Sequence, residues 1–262
     1  MDVLKRNNVA VRGTGAQAML FAHGFGCDSA MWRFVAPAFE ATHKTVVFDA
    51  VGAGASDLSA YDFDKYGRLE GYADDIVDIA RALDIKDAVF VGHSVSAMVG
   101  LIAAAKAPDL FSKLVLVGPS PRYMDDADYA GGFSAAQIDE LLDSLDANHL
   151  GWSAAMAPVI MGNPGRAELG EELTNSFCRT DPKIARHFAR TTFTSDTRDI
   201  LAATRHPTLI LQCAHDVIAP EAVGRYVHAA IPGSTLVLME ATGHCPNLSA
   251  PEETVAAIRA FL

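Results

Sequence analysis

The chain has 262 residues, of which half are hydrophobic and 20% are charged. This length is enough for a large folded domain with a substantial core, and the composition excludes a disordered, collagen-like or small disulfide-stapled protein. Lysine and arginine number 21 against 32 aspartate and glutamate residues, which gives a formal net charge of −11. Because such a charge repels nucleic-acid phosphates and anionic lipid, we expect no nucleic-acid partner and no membrane partner.

Cysteine usage indicates a reducing compartment. Cys27, Cys178, Cys213 and Cys245 lie far apart and form no C-x-x-C pair, so neither a zinc site nor a disulfide framework is predicted. The charged N-terminal residues are followed by no apolar run, and a secretory signal is therefore not expected. These features favour reduced thiols in a cytoplasmic protein.

Short apolar runs alternate with amphipathic helical patterns along most of the chain. The runs lack polar alternation, which is typical of strands that are covered on both faces. Helical spacing of apolar residues occurs at 76–83 and 223–227, and the start signals Ser249 and Pro251 precede a terminal helix. This alternation predicts an α/β fold with a mostly parallel sheet between helices. Strands are predicted at 18–22, 45–48, 88–91, 114–117, 208–211 and 236–239.

The stretch 121–196 breaks this alternation. It contains no strand-like run, whereas residues 138–145 and 152–160 each place apolar side chains on one helical face. We interpret 121–196 as a helical cap inserted into a core formed by 1–120 and 197–262. An insertion at the C-terminal edge of a parallel sheet is expected to cover a ligand crevice.

A serine stands between a predicted strand and a predicted helix in the run V-F-V-G-H-S-V-S-A-M, residues 89–98. In the pattern G-x-S-x-G, the glycines permit a tight turn that exposes the serine oxygen at the N-terminus of a helix. Here Ser96 replaces the last glycine, which is a small change in size. A serine at a helix start is more often a cap than a nucleophile, so a catalytic role for Ser94 needs support from elsewhere in the chain.

That support begins upstream, in the run H-G-F-G at 23–26 after the first predicted strand. Loops of the type H-G-x-G supply a backbone donor for a developing oxyanion. The expected oxyanion donors are the backbone N–H groups of Phe25 and Val95. We interpret His23 and His93 as structural histidines.

An acid and a base follow Ser94 in the chain order that a serine triad on such a sheet requires. Asp216 follows the predicted strand 208–211, and His244 follows the strand 236–239. Both loops are expected at the same end of the sheet as Ser94. The sequence therefore predicts a catalytic triad of Ser94, Asp216 and His244 that needs no cofactor.

Other carboxylates and histidines are weaker candidates for these roles. Asp49 also ends a strand, but it precedes the serine, and His215 beside the predicted acid is interpreted as a surface residue. The histidines show no metal-ligand spacing, so no metal is predicted.

Further motifs extend over nearly the whole chain. Together with the loop at 23–26 and the turn at 92–98, they resemble the α/β-hydrolase superfamily, and more specifically the group that contains the bacterial stress-signalling protein RsbQ and the plant karrikin and strigolactone receptors. Ser96 is consistent with usage in that group. The matching segments are M-W-R-F-V at 31–35, 63–72, G-G-F at 131–133, F-T-S-D at 193–196 and G-H-C-P at 243–246, with F-C-R-T-D-P at 177–182, Q-C-A at 212–214 and H-C-P at 244–246 most similar to RsbQ.

The resemblance implies an α/β-hydrolase fold with four cap helices that form a V over an apolar pocket. Such a pocket would take a small, hydrophobic, uncharged ligand. Taken alone, the sequence leaves each implied lining residue equally compatible with ordinary cap core. The residues that the resemblance places in the lining are Phe25, Tyr123, Phe133, Leu142, Trp152, Met156, Ile160, Phe177 and Phe193.

Two functions fit these features. The first is a cofactor-independent serine hydrolase of a small hydrophobic ester or lactone. The second is a ligand-sensing signalling protein with slow or single-turnover hydrolysis. For that role, the similarity to RsbQ implies a phosphatase partner in stress-factor activation, and the similarity to the plant receptors implies hormone perception. A cofactor-free haloperoxidase is a third alternative, because a fold does not determine its chemistry.

Overall fold

A seven-stranded sheet forms the centre of the computed structural model, which describes residues 2–262. The strands are β1 (Ala10–Arg12), β2 (Ala18–Ala22), β3 (Lys44–Val47), β4 (Ala88–His93), β5 (Phe111–Val117), β6 (Thr208–His215) and β7 (Thr235–Thr242). Their order across the sheet is β1-β3-β2-β4-β5-β6-β7. Only the pair β1 and β3 is antiparallel among these strands of the described chain. The predicted α/β class with a mostly parallel sheet is therefore confirmed.

The strand predictions differ from the structure at the edges. All six predicted strands are present, although β3 is shifted by one residue and β4 to β7 extend beyond the predicted runs. Strand β1 was not predicted, because three residues at a sheet edge, two of them exposed, give no apolar run. The long apolar runs were reliable because β2 and β4 are buried along their whole length.

Helices cover both faces of the sheet. No helix within residues 2–262 has both the length and the apolar character needed to cross a bilayer. The helix bounds are α1 (Val3–Arg6), α2 (Leu69–Ala82), α3 (Val95–Lys106), α4 (Ala135–Ala147), α5 (His149–Met161), α6 (Ala167–Arg179), α7 (Pro182–Phe193), α8 (Glu221–Ala230), α9 (Pro246–Ser249) and α10 (Pro251–Phe261).

Strand alternation divides the buried apolar side chains between the two faces. Met19 and Phe21 of β2 belong to one core, which also includes apolar residues of α4 to α6, whereas Leu20 between them belongs to the other core, with α2 and α3. This separation follows from the period of two along a strand. The sheet therefore has an apolar core on each face.

Helices α4 to α7 all lie between β5 and β6 in the chain. The two ends of this segment meet at its base, where Arg122 forms an isolated antiparallel bridge and a 2.9 Å ion pair with Asp196. Next to them, the N–H of Thr197 donates to the carbonyl of Pro121 at 2.8 Å. The four helices thus leave and rejoin the sheet at neighbouring points.

A buried carboxylate joins three segments near the start of the chain. Asp75 on α2 is 2% exposed and accepts hydrogen bonds from Arg6 at 2.7 Å, Lys65 at 2.5 Å and the hydroxyl of Tyr66 at 2.8 Å. A buried charge with several donors is strongly destabilising to remove, because its partners are then left without compensation. Asp75 therefore fastens α1 and the segment before α2 to the helix.

We expect Asp75→Asn to lower the free energy of unfolding by about 3 kcal/mol, because the partly buried cations of Arg6 and Lys65 lose their buried counter-charge. The adjacent variant Asp74→Asn is the control, since Asp74 pairs with Lys106 through largely exposed side chains, and it should cost less than about 1 kcal/mol. Urea unfolding followed by circular dichroism measures both. Equal losses for the two variants would contradict the role given to Asp75.

Candidate active site

Ser94 occupies a strained turn between β4 and α3. Its backbone has a φ of 58° and a ψ of −127°, and residues other than glycine rarely adopt a positive φ of this kind. Gly92 makes the turn possible, because a Cβ there would lie 2.5 Å from the carbonyl oxygen of Ser96. The N–H of Ser94 donates to the carbonyl of Val117 on β5 at 2.8 Å. The serine oxygen is thereby presented at the start of a helix.

The H-G-F-G loop is held against this turn. The hydroxyl of Ser96 donates to the carbonyl of His23, and the Nε2 of His23 accepts the N–H of Ala50 at 2.9 Å while its Nδ1 donates to the carbonyl of Gly24. A Cβ at Gly24 would lie 2.7 Å from the ring of His93, so the close approach requires glycine. The structural interpretation of His23 is confirmed, and Ser96 links the two loops.

His244 lies in the loop after β7, between Ser94 and Asp216. Its Nε2 is 2.7 Å from the Oγ of Ser94, and its Nδ1 is 2.7 Å from an oxygen of Asp216. All three side chains are buried, with residue exposures of 4% to 7%. The strands β4, β6 and β7 therefore bring the three predicted residues into one continuous hydrogen-bond chain.

The protons along this chain have a definite arrangement. Burial raises the pKa of Asp216, but the imidazole of His244 and the backbone N–H groups of Ile218 and Ala219 lower it further, and the net pKa lies below its usual value. Ionised Asp216 is an acceptor, so Nδ1 of His244 carries the proton. Nε2 is then free to accept the hydroxyl proton of Ser94.

His93 holds the backbone of His244 in position through a buried hydrogen bond. Its Nε2 donates to the carbonyl of His244 at 2.7 Å. Burial, assisted by the nearby imidazole of His244, lowers the pKa of His93 to about 3. His93 is therefore neutral at physiological pH and positions the His244 loop, which confirms its structural interpretation.

The two predicted oxyanion donors belong to Val95, which follows Ser94 in the chain, and to Phe25 in the H-G-F-G loop. Val95 is the first residue of α3, where a backbone N–H has no partner within the helix. Within residues 2–262, no hydrogen bond outside regular helices and strands uses the N–H of Phe25. Both positions are thus compatible with donation to a bound carbonyl oxygen.

A cavity of about 30 Å³ borders Ser94 and His244. Such a volume accepts little more than one water molecule. Its walls are mainly apolar and aromatic. Of the nine lining residues implied by resemblance, five border it: Phe25, Tyr123, Ile160, Phe177 and Phe193.

The other four predicted lining residues are not in the wall of this cavity. Trp152 stacks on the ring of Phe177, with ring centres 5.7 Å apart and planes 16° apart, and therefore lies behind it. Leu142 is buried in the core that includes the α4 to α6 side chains. Phe133 and Met156 are partly buried and pack against the same core. These four side chains therefore contribute to the surrounding core rather than to the cavity wall.

Several lining residues were missed by sequence reasoning. Cys27 and Cys245 are buried thiols beside Ser94, and burial raises the pKa of Cys27 to about 12 and that of Cys245 well above its usual value. Both are therefore protonated and poor nucleophiles. No cluster of three or more metal-ligating side chains occurs in the part of the chain described. The missed residues are Cys27, His93, Leu173, Thr192, Ile218 and Cys245.

The chain belongs to the alpha/beta hydrolase family, whose sequence model matches residues 19–258. Strigolactone esterase D14 of Arabidopsis thaliana is 38% identical to this chain. The alignment covers 100% of this chain and 98% of that protein. Karrikin insensitive 2 receptor CA of Petunia hybrida is 37% identical, over 97% of this chain and 94% of its own. The resemblance to the plant karrikin and strigolactone receptors is confirmed.

A solved structure of a hydrolase from Oleispira antarctica superposes with a TM-score of 0.97 and is 42% identical. The alignment covers 99% of this chain and 96% of that one. The fold described above is therefore that of an α/β hydrolase over essentially the full length.

The lowered pKa of His93 predicts a pH dependence of stability. Between the unfolded pKa near 6.5 and the folded pKa of about 3, only the unfolded chain takes up this proton, so stability falls as pH falls. In His93→Gln, the slope of the unfolding free energy between pH 6 and pH 5 should be smaller by up to about 1.4 kcal/mol per pH unit. Urea titrations measure this slope.

The matched control is His228→Gln, because the side chain of His228 lies on the exposed face of α8. This variant should retain the wild-type slope. A His93→Gln protein with an unchanged slope would contradict the assignment of a neutral, buried His93.

Proposed function

We propose that this α/β hydrolase is a serine hydrolase of small hydrophobic esters or lactones. The single observation that carries the proposal is the hydrogen-bond chain from Ser94 through His244 to Asp216, with both contacts at 2.7 Å. A nucleophile bonded to a base, which is bonded to an orienting acid, is the arrangement that activates a serine hydroxyl.

In the acylation step, the Oγ of Ser94 attacks the carbonyl carbon of the ester while its proton passes to Nε2 of His244. The carbonyl oxygen becomes negatively charged in the tetrahedral intermediate and receives hydrogen bonds from the N–H groups of Phe25 and Val95. The carbon–oxygen bond to the leaving group then breaks, and Nε2 of His244 protonates the departing oxygen. Asp216 stays ionised and stabilises the imidazolium.

In the deacylation step, a water molecule attacks the acyl carbon and transfers a proton to His244. The bond to Ser94 breaks, the serine recovers its proton, and the carboxylic acid leaves. For a lactone, the alcohol and the acid belong to one opened molecule. No step requires a cofactor.

The apolar walls favour an uncharged ligand, and the small cavity requires a wall to move. Ligand pockets usually occupy about 300–1,000 Å³, compared with about 30 Å³ here. Helix α6 contributes Leu173 and Phe177 to the wall. We propose that residues 121–196 act as a cap over the core of 1–120 and 197–262. Ligand entry then displaces the part of the cavity wall that the cap contributes, such as α6.

The cap helix α6 is fastened to the core through one polar face. Glu172 forms a two-pronged ion pair with Arg33 at 2.7 Å. The hydroxyl of Ser176 donates to the carbonyl of Gly26, within the H-G-F-G loop, at 2.8 Å. These contacts are near the surface and individually weak, which is compatible with a wall that opens.

We expect Ser94→Ala to reduce kcat/KM for p-nitrophenyl acetate by at least about a thousandfold, since the nucleophile is removed. The variant should fold, because the two side chains differ by one oxygen. Ser153→Ala is the matched control, as Ser153 is buried in α5 and donates only to the carbonyl of His149. Cleavage by Ser94→Ala at the wild-type rate would rule out the proposal.

We expect Asp216→Asn to lower kcat about 10⁴-fold, because an amide in place of the carboxylate favours the wrong tautomer of His244. Asp49→Asn is the control for this change, because Asp49 is also buried and follows a strand, β3. Its carboxylate accepts hydrogen bonds from the N–H groups of Ser29 and Ala55 rather than from His244. Steady-state cleavage of p-nitrophenyl acetate measures both. A fully active Asp216→Asn protein would show that another acid orients the base.

A second candidate function is ligand sensing in the cytoplasm with slow turnover. Its support is the 37% identity to the Petunia hybrida protein named karrikin insensitive 2 receptor CA, together with the small volume of the cavity. A cavity wall that must move to admit a ligand can couple ligand binding to a change at the protein surface. The partner would be a signalling protein, such as a phosphatase. The bound ligand would change the affinity for that partner.

Intact mass spectrometry during reaction with a butenolide ester separates the two candidates. Rapid Ser94-dependent turnover without a lasting adduct favours the metabolic hydrolase. A slow burst that leaves a covalent mass on the wild-type protein, absent from Ser94→Ala, favours the receptor.

A further inference from the structure

The hydroxyl of Thr192 is an unpartnered polar group in the wall of the catalytic cavity. Thr192 lies near the C-terminal end of α7 and is 1% exposed. Its Oγ1 is fully buried and has no hydrogen-bond partner within residues 2–262. The same residue borders the cavity of about 30 Å³ that contains Ser94 and His244.

Other hydroxyls in the helices of this chain behave differently. The Oγ1 of Thr191 donates to the carbonyl of His187, four residues earlier, and the Oγ1 of Thr174 and of Thr254 donate to their own i−4 carbonyls in the same way. This local bond is the usual partner of a helical threonine. Thr192 lacks it, so the orientation of its side chain is not explained by its own helix.

A buried hydroxyl without a partner costs free energy, so its position beside the cavity calls for an explanation. Of the other missed wall residues, Leu173 and Ile218 are apolar, and Cys27 and Cys245 are thiols, which are weak hydrogen-bonding groups. His93 donates through Nε2 to the carbonyl of His244, so its unpartnered Nδ1 can only accept. The hydroxyl of Tyr123 lies 3.4 Å from the Oγ of Ser94, on the reacting side of the cavity. Thr192 therefore adds a separate, unpartnered hydroxyl donor to a mainly apolar wall.

We propose that Thr192 is a specificity-determining residue whose hydroxyl donates a hydrogen bond to a second oxygen of the substrate. This inference rests on the proposed hydrolase function and narrows its substrate class. Ether, ester and lactone oxygens accept hydrogen bonds and donate none, so the hydroxyl acts as the donor. The preferred substrate is a small ester or lactone that has a further acceptor oxygen close to the scissile carbonyl, in addition to the carbonyl oxygen and the leaving-group oxygen.

Two esters of equal length test this directly. The acyl chain of p-nitrophenyl methoxyacetate has an oxygen where p-nitrophenyl butyrate has a methylene. The two esters differ in intrinsic reactivity, but this difference is the same for every variant. The measured quantity is therefore the ratio of kcat/KM for the methoxyacetate to kcat/KM for the butyrate. In Thr192→Val, which keeps the shape of the side chain, this ratio should fall about fivefold relative to wild type.

Two further variants serve as controls. Thr192→Ser retains the hydroxyl and should retain a ratio closer to wild type than to Thr192→Val. Thr191→Val makes the same change one residue earlier, at a hydroxyl that bonds the carbonyls of Tyr66 and His187 outside the cavity, and it should leave the ratio unchanged.

The inference is overturned if Thr192→Val keeps the wild-type ratio, or if Thr191→Val lowers the ratio equally. With Ser94-dependent cleavage of both esters, either result leaves the proposed function intact. A wild-type protein that cleaves neither ester in a Ser94-dependent manner overturns the proposed function, and this inference with it.

Discussion

The strained backbone of Ser94 is the constraint on which the site depends. A φ of 58° is unfavourable for a serine, and this conformation persists because several contacts around the turn fix it in place. The N–H of Ser94 is held by β5, the side chain of His93 by the carbonyl of His244, and the side chain of Ser96 by the carbonyl of His23. One turn thus ties the serine to the base loop and to the oxyanion loop.

The environment of the serine then selects among the nucleophiles nearby. Cys27 and Cys245 line the same cavity, but burial raises the pKa of both thiols, and neither is hydrogen-bonded to His244. Ser94 alone among these three has an acceptor for its proton. A mainly apolar wall also strengthens the hydrogen bonds that act on developing charge. The chemistry of the site therefore follows from which side chain contacts the imidazole.

The sequence was most informative where strand ends determine position. Asp216 and His244 could be predicted as partners of Ser94 because parallel strands bring their following loops to one edge of the sheet, and the structure places all three in hydrogen-bond contact. Strand β1 could not be predicted, since its short edge run carries little apolar signal.

The cavity wall was harder to predict because it depends on how helices pack. Trp152 has the size and character of a lining residue, yet it stacks behind Phe177. Thr192 has no signal in the sequence at all, because a threonine near the end of an amphipathic helix resembles many others. Its role emerges only from the missing hydrogen bond and the neighbouring cavity.

The most direct test of the central claim is a chemical label for an activated serine. Diethyl p-nitrophenyl phosphate transfers its phosphoryl group to a serine whose proton is accepted by a neighbouring base. We expect peptide mapping to find the diethylphosphoryl group on Ser94 of the wild-type protein, and we expect labelling to be lost in His244→Ala. Labelling of another residue, or equal labelling of Ser94 in His244→Ala, would show that His244 does not activate Ser94.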